Sequence, residues 1–146
     1  MAIFLGADHR GFELKNQVKS WLLDKGFEVE DLGASQFLDN DDFIEYAVSV
    51  GQKVSANKDS KGIVICGSGA GVEITANKVK GIRCSLGQSA EQITKAREAD
   101  DINVLAIASD FTNIEKAKDL IDAFLETSFI PNENHNRRIE KIKNLE

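Results

Sequence analysis

Short apolar runs alternate along the chain with longer stretches in which apolar residues recur at helical spacing. The first run covers residues 2–6, and the helical spacing that begins at Phe12 ends at Gly26. The β-branched run over residues 62–66 has no polar alternation, which is typical of a strand covered on both faces. Strands are predicted over residues 2–6, 27–32, 62–66, 82–86 and 103–108. Helices are predicted over residues 12–25, 89–98 and 113–126, with one more beginning inside the glycine loop 67–71.

A further helix is predicted after the acidic loop formed by residues 39–42. Its expected buried face carries Ile44, Ala47, Val48 and Val54. Strand and helix thus alternate throughout, which predicts an α/β fold with right-handed crossovers and a five-stranded parallel sheet covered by helices on both faces. Ligands of such sheets bind at the carboxyl ends of the strands. We therefore expect the functional residues in the loops that follow the strands.

The polar segment after Pro131 is unlike the rest of the chain. Residues 132–138 read Asn-Glu-Asn-His-Asn-Arg-Arg and precede a short predicted helix that runs to Glu146. This C-terminal helical tail is expected to reach a partner subunit.

Length and charge exclude several classes of protein. With 146 residues the chain is long enough for one domain around one core, and we expect residues 1–146 to form it. The formal net charge of −6 argues against broad binding of nucleic acid. No apolar run approaches the length of a membrane span, and Met1 is followed by no basic segment of a signal peptide. A soluble, cytoplasmic protein without a membrane partner is predicted.

Few residues are available to bind a metal. The two cysteines, Cys66 and Cys84, are interpreted as thiols, and Cys84 as a core residue. The two histidines, His9 and His135, show no spacing typical of a metal site. We expect chemistry without metal or cofactor.

Cys66 ends the most apolar predicted strand and is followed by Gly-Ser-Gly-Ala-Gly at the start of a helix. The amino end of a helix favours a thiolate and binds oxyanions, so Cys66 is a candidate base. The alternative is a small apolar residue of the core, as many buried cysteines are. The spacing of Gly67, Gly69 and Gly71 matches neither a complete dinucleotide-binding fingerprint nor a P-loop, which favours a small anionic ligand over a nucleotide.

Two polar clusters could complete such a site. Asp8 and His9 also follow a strand and could bind sugar hydroxyls or a phosphate; alternatively, Asp8 caps the next helix and His9 is merely exposed. His135 with Arg137 and Arg138 suits a phosphate, although such charge runs are more often solvated helix faces.

Four segments carry a resemblance to a known family. Residues 6–11, 65–71, 76–83 and 103–105 closely resemble the family of ribose-5-phosphate isomerase B and galactose-6-phosphate isomerase, in order and register over nearly the whole chain. The resemblance implies a Rossmann-like α/β/α sandwich and metal-free aldose–ketose interconversion of phosphosugars. It also implies active sites shared between two subunits.

The resemblance also implies a role for each candidate residue. Cys66 would carry the proton between C1 and C2 through a cis-enediolate, Ser68 stands where threonine is common, and Asp8 would bind or help to open the sugar ring. The groups implied to stabilise the enediolate are the amides of Gly67, Gly69 and Gly71 and the side chain of Asn103. Those implied to bind the phosphate are His9, His135 and Arg138.

Three positions depart from the family pattern. Members that act on ribose phosphate usually carry a ring-opening histidine where this chain has Ala99, so Asp8, Asp100 or water would have to replace it. Asn134 stands where a phosphate-binding arginine is common, and Phe43 where a tyrosine often lines the site. The cysteine-bearing subunit of galactose-6-phosphate isomerase resembles this chain in lacking the histidine.

Three interpretations follow. The first is a homodimeric or homotetrameric isomerase of the pentose phosphate pathway that converts ribose 5-phosphate to ribulose 5-phosphate. The second is one subunit of a hetero-oligomeric hexose-6-phosphate isomerase, whose paralogous subunit supplies the histidine, or an isomerase whose substrate is unlike ribose 5-phosphate. The third is a non-catalytic protein that binds phosphosugars. The presence of Cys66 and a complete glycine loop counts against the third, because binding alone requires no base.

Overall fold

The computed structural model describes all 146 residues and contains five strands and six α-helices in alternation. The strands are β1 (Ala2–Ala7), β2 (Glu28–Asp31), β3 (Lys61–Cys66), β4 (Cys84–Leu86) and β5 (Val104–Ala108). The helices are α1 (Phe12–Asp24), α2 (Phe43–Ala56), α3 (Ala70–Ala76), α4 (Ala90–Asp100), α5 (Ile114–Glu126) and α6 (Glu133–Lys143). The predicted α/β/α sandwich with a C-terminal helix is confirmed.

All five strands are parallel and lie in the order β2-β1-β3-β5-β4. In the register of the sheet Ala7 of β1 pairs with Ile65 of β3, and Cys66 pairs with Ala108 of β5. The three central strands therefore end at the same level. Because parallel strands share one carboxyl edge, the loops after β1, β3 and β5 are neighbours although they are far apart in the sequence.

Helices pack on both faces of the sheet and bury two apolar cores. One core lies under α1, α4 and α5 and includes Ile65 and Phe124; the other lies under α2 and α3 and includes Val64 and Val72. Neighbouring residues of β3 thus point into different cores, as expected for a strand without polar alternation. Each helix of the structure is too short or too polar to span a lipid bilayer.

Two local expectations need correction. Ile44 was expected on the buried face of α2, but it is 47% exposed, because Ala47, Val50 and Val54 form the face that meets the sheet. The polar segment after Pro131 was expected to precede the last helix, but α6 begins at Glu133 within it. The side chain of Asn132 caps that helix by accepting a hydrogen bond from the His135 N–H at 2.8 Å.

A buried ion pair fixes the backbone beside the end of β1. The fully buried Nζ of Lys15 donates to both carboxylate oxygens of Asp31 at 2.8 Å and to the Ala34 carbonyl at 2.7 Å. The backbone of Gly33 and Ala34 is hydrogen bonded to Ala7. The Ala7 N–H donates to the Gly33 carbonyl at 2.8 Å, and the Ala34 N–H donates to the Ala7 carbonyl at 3.0 Å. The pair therefore holds the residue that precedes Asp8.

We expect Asp31→Asn to lower the free energy of unfolding by about 3–5 kcal/mol, because it leaves the Lys15 ammonium buried without a counter-charge. The control is Lys19→Met: Lys19 contacts the same carboxylate at 3.1 Å but is 38% exposed, so its loss should cost less than about 1 kcal/mol. Urea unfolding measures both. Equal effects of the two variants would contradict a special role for Lys15.

The same pair predicts a pH dependence of stability. Burial on its own would raise the pKa of Asp31, but hydrogen bonds from Lys15, Gly33 and Lys19 reverse this and hold the pKa below its usual value of 3.8. A carboxyl group with a lowered folded-state pKa contributes stability above its unfolded pKa and loses it as the pH falls through the folded value. Wild-type stability should therefore decline below about pH 4 more steeply than that of Asp31→Asn.

Candidate active site

The loops that follow β1, β3 and β5 are tied together at the carboxyl edge of the sheet. The Ser109 hydroxyl shares its one proton between two carbonyls, that of Arg10 at 2.9 Å and that of Cys66 at 3.1 Å. The Asp110 N–H donates to the Gly67 carbonyl at 3.0 Å. These bonds bring the residues after Asp8 and those after Cys66 into one cluster, as the parallel sheet predicts.

Cys66 is the last residue of β3 and is only 4% exposed. The N–H groups of Gly67, Ser68 and Gly69, which follow it, donate to no acceptor within the chain. Gly69 has a φ of +75°, and a Cβ there would lie 2.4 Å from Leu86 Cδ1, so only glycine fits this turn. The loop therefore presents free backbone donors next to a thiol, an arrangement that stabilises negative charge on an oxygen.

Cys66 is buried and lines neither of the two largest cavities of this chain. The two largest cavities, about 690 and 640 Å³, are lined by other residues and do not include Cys66. Beyond the glycine loop lie exposed apolar side chains, among them Ile74 at 60% and Phe111 at 73% exposure. The Phe43 ring covers Gly71, where an added Cβ would lie 2.7 Å from its Cζ. Neither of these cavities can therefore hold a sugar against the sulfur of the same chain.

Asp8 holds the start of α1 with one carboxylate oxygen and leaves the other free. Its Oδ1 accepts the N–H groups of Arg10 at 3.0 Å and Gly11 at 3.1 Å, at the turn that opens α1. Its Oδ2 accepts no hydrogen bond in the chain, and because no buried side-chain oxygen lacks a partner, this atom must reach the surface. Burial raises the pKa of Asp8 above 3.8, although the Gly11 and Arg10 amides and the charge of His9 oppose the shift.

His9 is held by Asp41 and is not simply exposed. Asp41 Oδ1 accepts from the His9 backbone N–H at 2.8 Å and lies 2.8 Å from His9 Nδ1, while Asp41 Oδ2 accepts from the Tyr46 hydroxyl at 2.9 Å. The hydrogen bond to Asp41 raises the pKa of His9, with the charge of Asp8 adding to it. Burial would raise the pKa of Asp41, but the bonds from His9 and Tyr46 lower it. The Nε2 of His9 has no partner in the chain, so the protonated ring is free to bind an anion through it.

The ligand atoms of Asp8, His9 and Asp41 all lie within 4.8 Å of one another, which is also the spacing of a metal site. His9 Nδ1 and Asp41 are, however, hydrogen bonded to each other, and Asp8 Oδ1 already accepts from two amides. These donor atoms fit a hydrogen-bonded cluster better than a metal centre.

Asn103 lies at the opposite edge of the sheet from Cys66. It precedes β5, and its Nδ2 donates to the Gly81 carbonyl at 2.8 Å while its Oδ1 accepts from the Arg83 N–H at 2.8 Å. The side-chain amide is therefore engaged in joining β5 to the segment before β4. The structure does not bring Asn103 to the Cys66 site of its own chain, so the role that the resemblance implied would require the site of a second copy.

The remaining candidates also lie at that far edge. Asp100 is the last residue of α4. The chain that follows α5 contacts α4 nearby, where the Ile130 N–H donates to the Glu98 carbonyl at 3.0 Å. On α6, His135 Nδ1 lies 2.8 Å from the Ile130 carbonyl, and Arg138 is exposed. Asp100, His135 and Arg138 are thus separated from Cys66 by the length of the sheet within one chain.

Sequence reasoning missed Asp41 and Tyr46. Asp41 belongs to a run of polar residues that was interpreted as a helix cap, yet the α2 cap position, Asp42, makes no side-chain capping bond. Its partner His9 is 32 residues away, and no local pattern singles out one carboxylate of that loop. Only the tertiary contact identifies it.

Taken together, these features define a class of protein: an α/β protein whose carboxyl edge carries a thiol, free backbone amides, a carboxylate and an imidazole, groups suited to acid–base chemistry on an anionic ligand. Comparison with known proteins then gives the family. The model of the Ribose/Galactose Isomerase family matches residues 3–142, and the chain belongs to that family.

Its relatives cover almost the full chain. It is 41% identical over 141 residues to the probable ribose-5-phosphate isomerase B of Mycoplasma genitalium, covering 96% of this chain and 92% of the relative. It is 36% identical to ribose-5-phosphate isomerase B of Mycolicibacterium paratuberculosis, covering 100% of this chain and 92% of the relative. The crystal structure of the M. genitalium isomerase with bound ribulose 5-phosphate superimposes with a TM-score of 0.94 at 40% identity, covering 99% of this chain and 95% of that one.

Proposed function

We propose that the chain is an aldose–ketose isomerase that interconverts ribose 5-phosphate and ribulose 5-phosphate. The observation that carries the proposal is the Cys66 thiol followed by three free backbone N–H groups at the carboxyl edge of the sheet. The names of the relatives, and the ribulose 5-phosphate bound to one of them, favour a pentose phosphate over a hexose phosphate. No observation favours a non-catalytic role.

The reaction moves one proton between neighbouring carbons without net oxidation. The thiolate of Cys66 removes the proton from C2 of the open-chain aldose, and the electron pair forms the C1–C2 double bond of a cis-enediolate. Negative charge develops on the oxygens, where the N–H groups of Gly67 and Gly69 donate. The Ser68 hydroxyl exchanges a proton with these oxygens. The Cys66 thiol then returns its proton to C1, which gives the ketose and regenerates the thiolate.

Asp8 is the ring-opening group that the structure supports best. Its Oδ2 is free, and burial raises its pKa, so a larger fraction is protonated than for an ordinary aspartate. A protonated carboxyl at this position can donate to the ring oxygen. Ala99 cannot do so, and Asp100, which lies at the far edge of the sheet in its own chain, could act only on the site of a second copy.

The active site is proposed to be shared between two copies of the chain, in a homodimer or homotetramer. His9 would bind the phosphate from one subunit, whereas His135 and Arg138 would reach the site from the other. The positions of the last two residues, far from Cys66 in their own chain, support this arrangement. Residues 1–146 would act as one sugar-phosphate isomerase domain in the cytoplasmic pentose phosphate pathway, without a cofactor.

The test is incubation of the purified chain with ribose 5-phosphate or galactose 6-phosphate in deuterated water. We expect ribulose 5-phosphate with deuterium at C1, and recovered ribose 5-phosphate with deuterium at C2, because the thiol exchanges its proton with solvent. Exchange with galactose 6-phosphate alone would assign the chain to the hexose-type enzymes. Absence of exchange with both sugars would contradict an isomerase.

A further inference from the structure

An arginine that the proposed mechanism does not use lies across the carboxyl edge of the sheet. Arg10 follows His9 in the loop after β1, and its Nη2 donates to Asp110 Oδ2 in the turn after β5. Strand β3 lies between β1 and β5 in the sheet. The guanidinium therefore spans the loop that begins directly after Cys66.

The guanidinium lies flat against Gly67. A Cβ added to Gly67 would be 3.0 Å from Arg10 Cζ, 3.1 Å from Nε and 3.2 Å from Nη2. Three nearly equal distances mean that the plane of the guanidinium faces the glycine. The absence of a side chain at position 67 is what allows this approach.

Hydrogen bonds to the backbone fix both loops that carry the ion pair of Arg10 and Asp110. The Arg10 N–H donates to Asp8 Oδ1 at 3.0 Å, and the Arg10 carbonyl accepts from Ser109 at 2.9 Å. On the other side, the Asp110 N–H donates to the Gly67 carbonyl at 3.0 Å. An arginine held in this way loses little conformational freedom when a ligand binds.

The ion pair between Arg10 and Asp110 contributes little to the stability of the fold. The side chains of Arg10 and Asp110 are 54% and 39% exposed, and exposed ion pairs contribute about 0–1 kcal/mol to folding. Asp110 is the only side chain or carbonyl that accepts from the guanidinium, so most of its donors are free. Arg10 and His9 also line the same cavity, of about 640 Å³, which runs along α1.

We propose that Arg10, positioned by Asp110, binds the phosphate group of the sugar substrate together with His9. A planar guanidinium donates two parallel hydrogen bonds to a phosphate, which a lysine cannot reproduce. The guanidinium suits the phosphate better than the reacting end of the sugar. The free N–H groups after Cys66 already serve the reacting oxygens, whereas the guanidinium is half exposed and borders the cavity that His9 also lines. The inference rests on the proposed isomerase function.

The test compares Arg10→Met with wild type in two assays. We expect the KM for ribose 5-phosphate and the Kd for inorganic phosphate, measured by titration calorimetry, to rise about 10- to 100-fold, with kcat changed less than about threefold. Arg10→Lys should recover only part of the affinity. Lys118→Met removes the same charge from α5 and should change neither constant, which separates binding from net charge.

Asp110→Asn keeps the size of the acceptor but removes its negative charge. Because the carboxylate no longer competes with the phosphate for the guanidinium, we expect the Kd for inorganic phosphate to fall about threefold. This variant and Arg10→Lys test the proposal even if Arg10→Met does not fold.

Unchanged KM and phosphate Kd in Arg10→Met would overturn the assignment. A loss of kcat at constant KM would also overturn it, since it would place Arg10 at the reacting oxygens. Failure of the isomerase proposal is a different result: the wild-type chain would show no turnover, while the phosphate titrations would still report on Arg10.

Discussion

Cys66→Ser lowers the kcat for isomerisation of ribose 5-phosphate by about 10²- to 10⁴-fold, the usual contribution of a positioned acid–base group. A serine hydroxyl has nearly the shape of the thiol but is far too weak an acid to be ionised near neutral pH. The free N–H groups of the loop remain, so the KM should change little. Stopped reactions with ribose 5-phosphate, analysed for ribulose 5-phosphate, measure the loss.

The second cysteine supplies a matched control. Cys84 is also a buried strand residue, 8% exposed compared with 4% for Cys66, and its burial raises the pKa of the thiol well above the ordinary range. It begins β4 at the opposite edge of the sheet, so Cys84→Ser should leave kcat unchanged. Turnover by Cys66→Ser at the wild-type rate would remove the thiol from the mechanism.

The contrast between the two cysteines shows why this part of the site was predictable. Both thiols lie in apolar runs, and burial alone does not distinguish them. Their positions in the strands do: Cys66 ends a strand before a glycine loop, whereas Cys84 begins one. In a parallel sheet this difference places only Cys66 at the carboxyl edge, where ligands bind. Asp8, which follows β1, was predicted for the same reason.

The same rule shows where Asn103 lies relative to Cys66. The resemblance implied a role at the enediolate, but Asn103 precedes β5 and therefore lies at the amino edge of the sheet. The order of strand and loop along the chain already contained that information. The role of Asn103 at the enediolate therefore stays a prediction, and like those of His135 and Arg138 it requires the site of a second copy of the chain.

Contacts between distant loops were beyond the reach of the sequence. Asp41 holds His9 across 32 residues, and Asp110 meets Arg10 across 100. A single sequence has no periodicity over such distances, because these pairs depend on how the loops at one sheet edge approach each other. The elements and the edge are encoded locally, whereas the partners of the charged groups are set by the tertiary fold.

Mixing two impaired variants restores activity if the site is shared between subunits, provided that the assay uses ribose 5-phosphate far below the KM of the second variant, where each variant alone is nearly inactive. The first variant is Cys66→Ser, which lacks the base; the second carries His135→Ala and Arg138→Ala, which removes the side chains proposed to reach the neighbouring site. After joint unfolding and refolding, half of the random dimers are mixed, and each mixed dimer contains one site with both defects and one with neither. We therefore expect roughly a quarter of wild-type activity.

The expected recovery depends on which edge of each subunit forms the site. His135 and Arg138 lie on α6 at the far edge from Cys66, so the two sets of residues meet only if a second copy turns that edge toward the glycine loop. The control mixes Cys66→Ser with Cys66→Ser/Asp8→Ala, which leaves no complete site in any dimer and should recover nothing. If the first mixture also stays inactive although size-exclusion chromatography shows mixed dimers, each site is built from one chain, and the phosphate is bound by His9 and its neighbours alone.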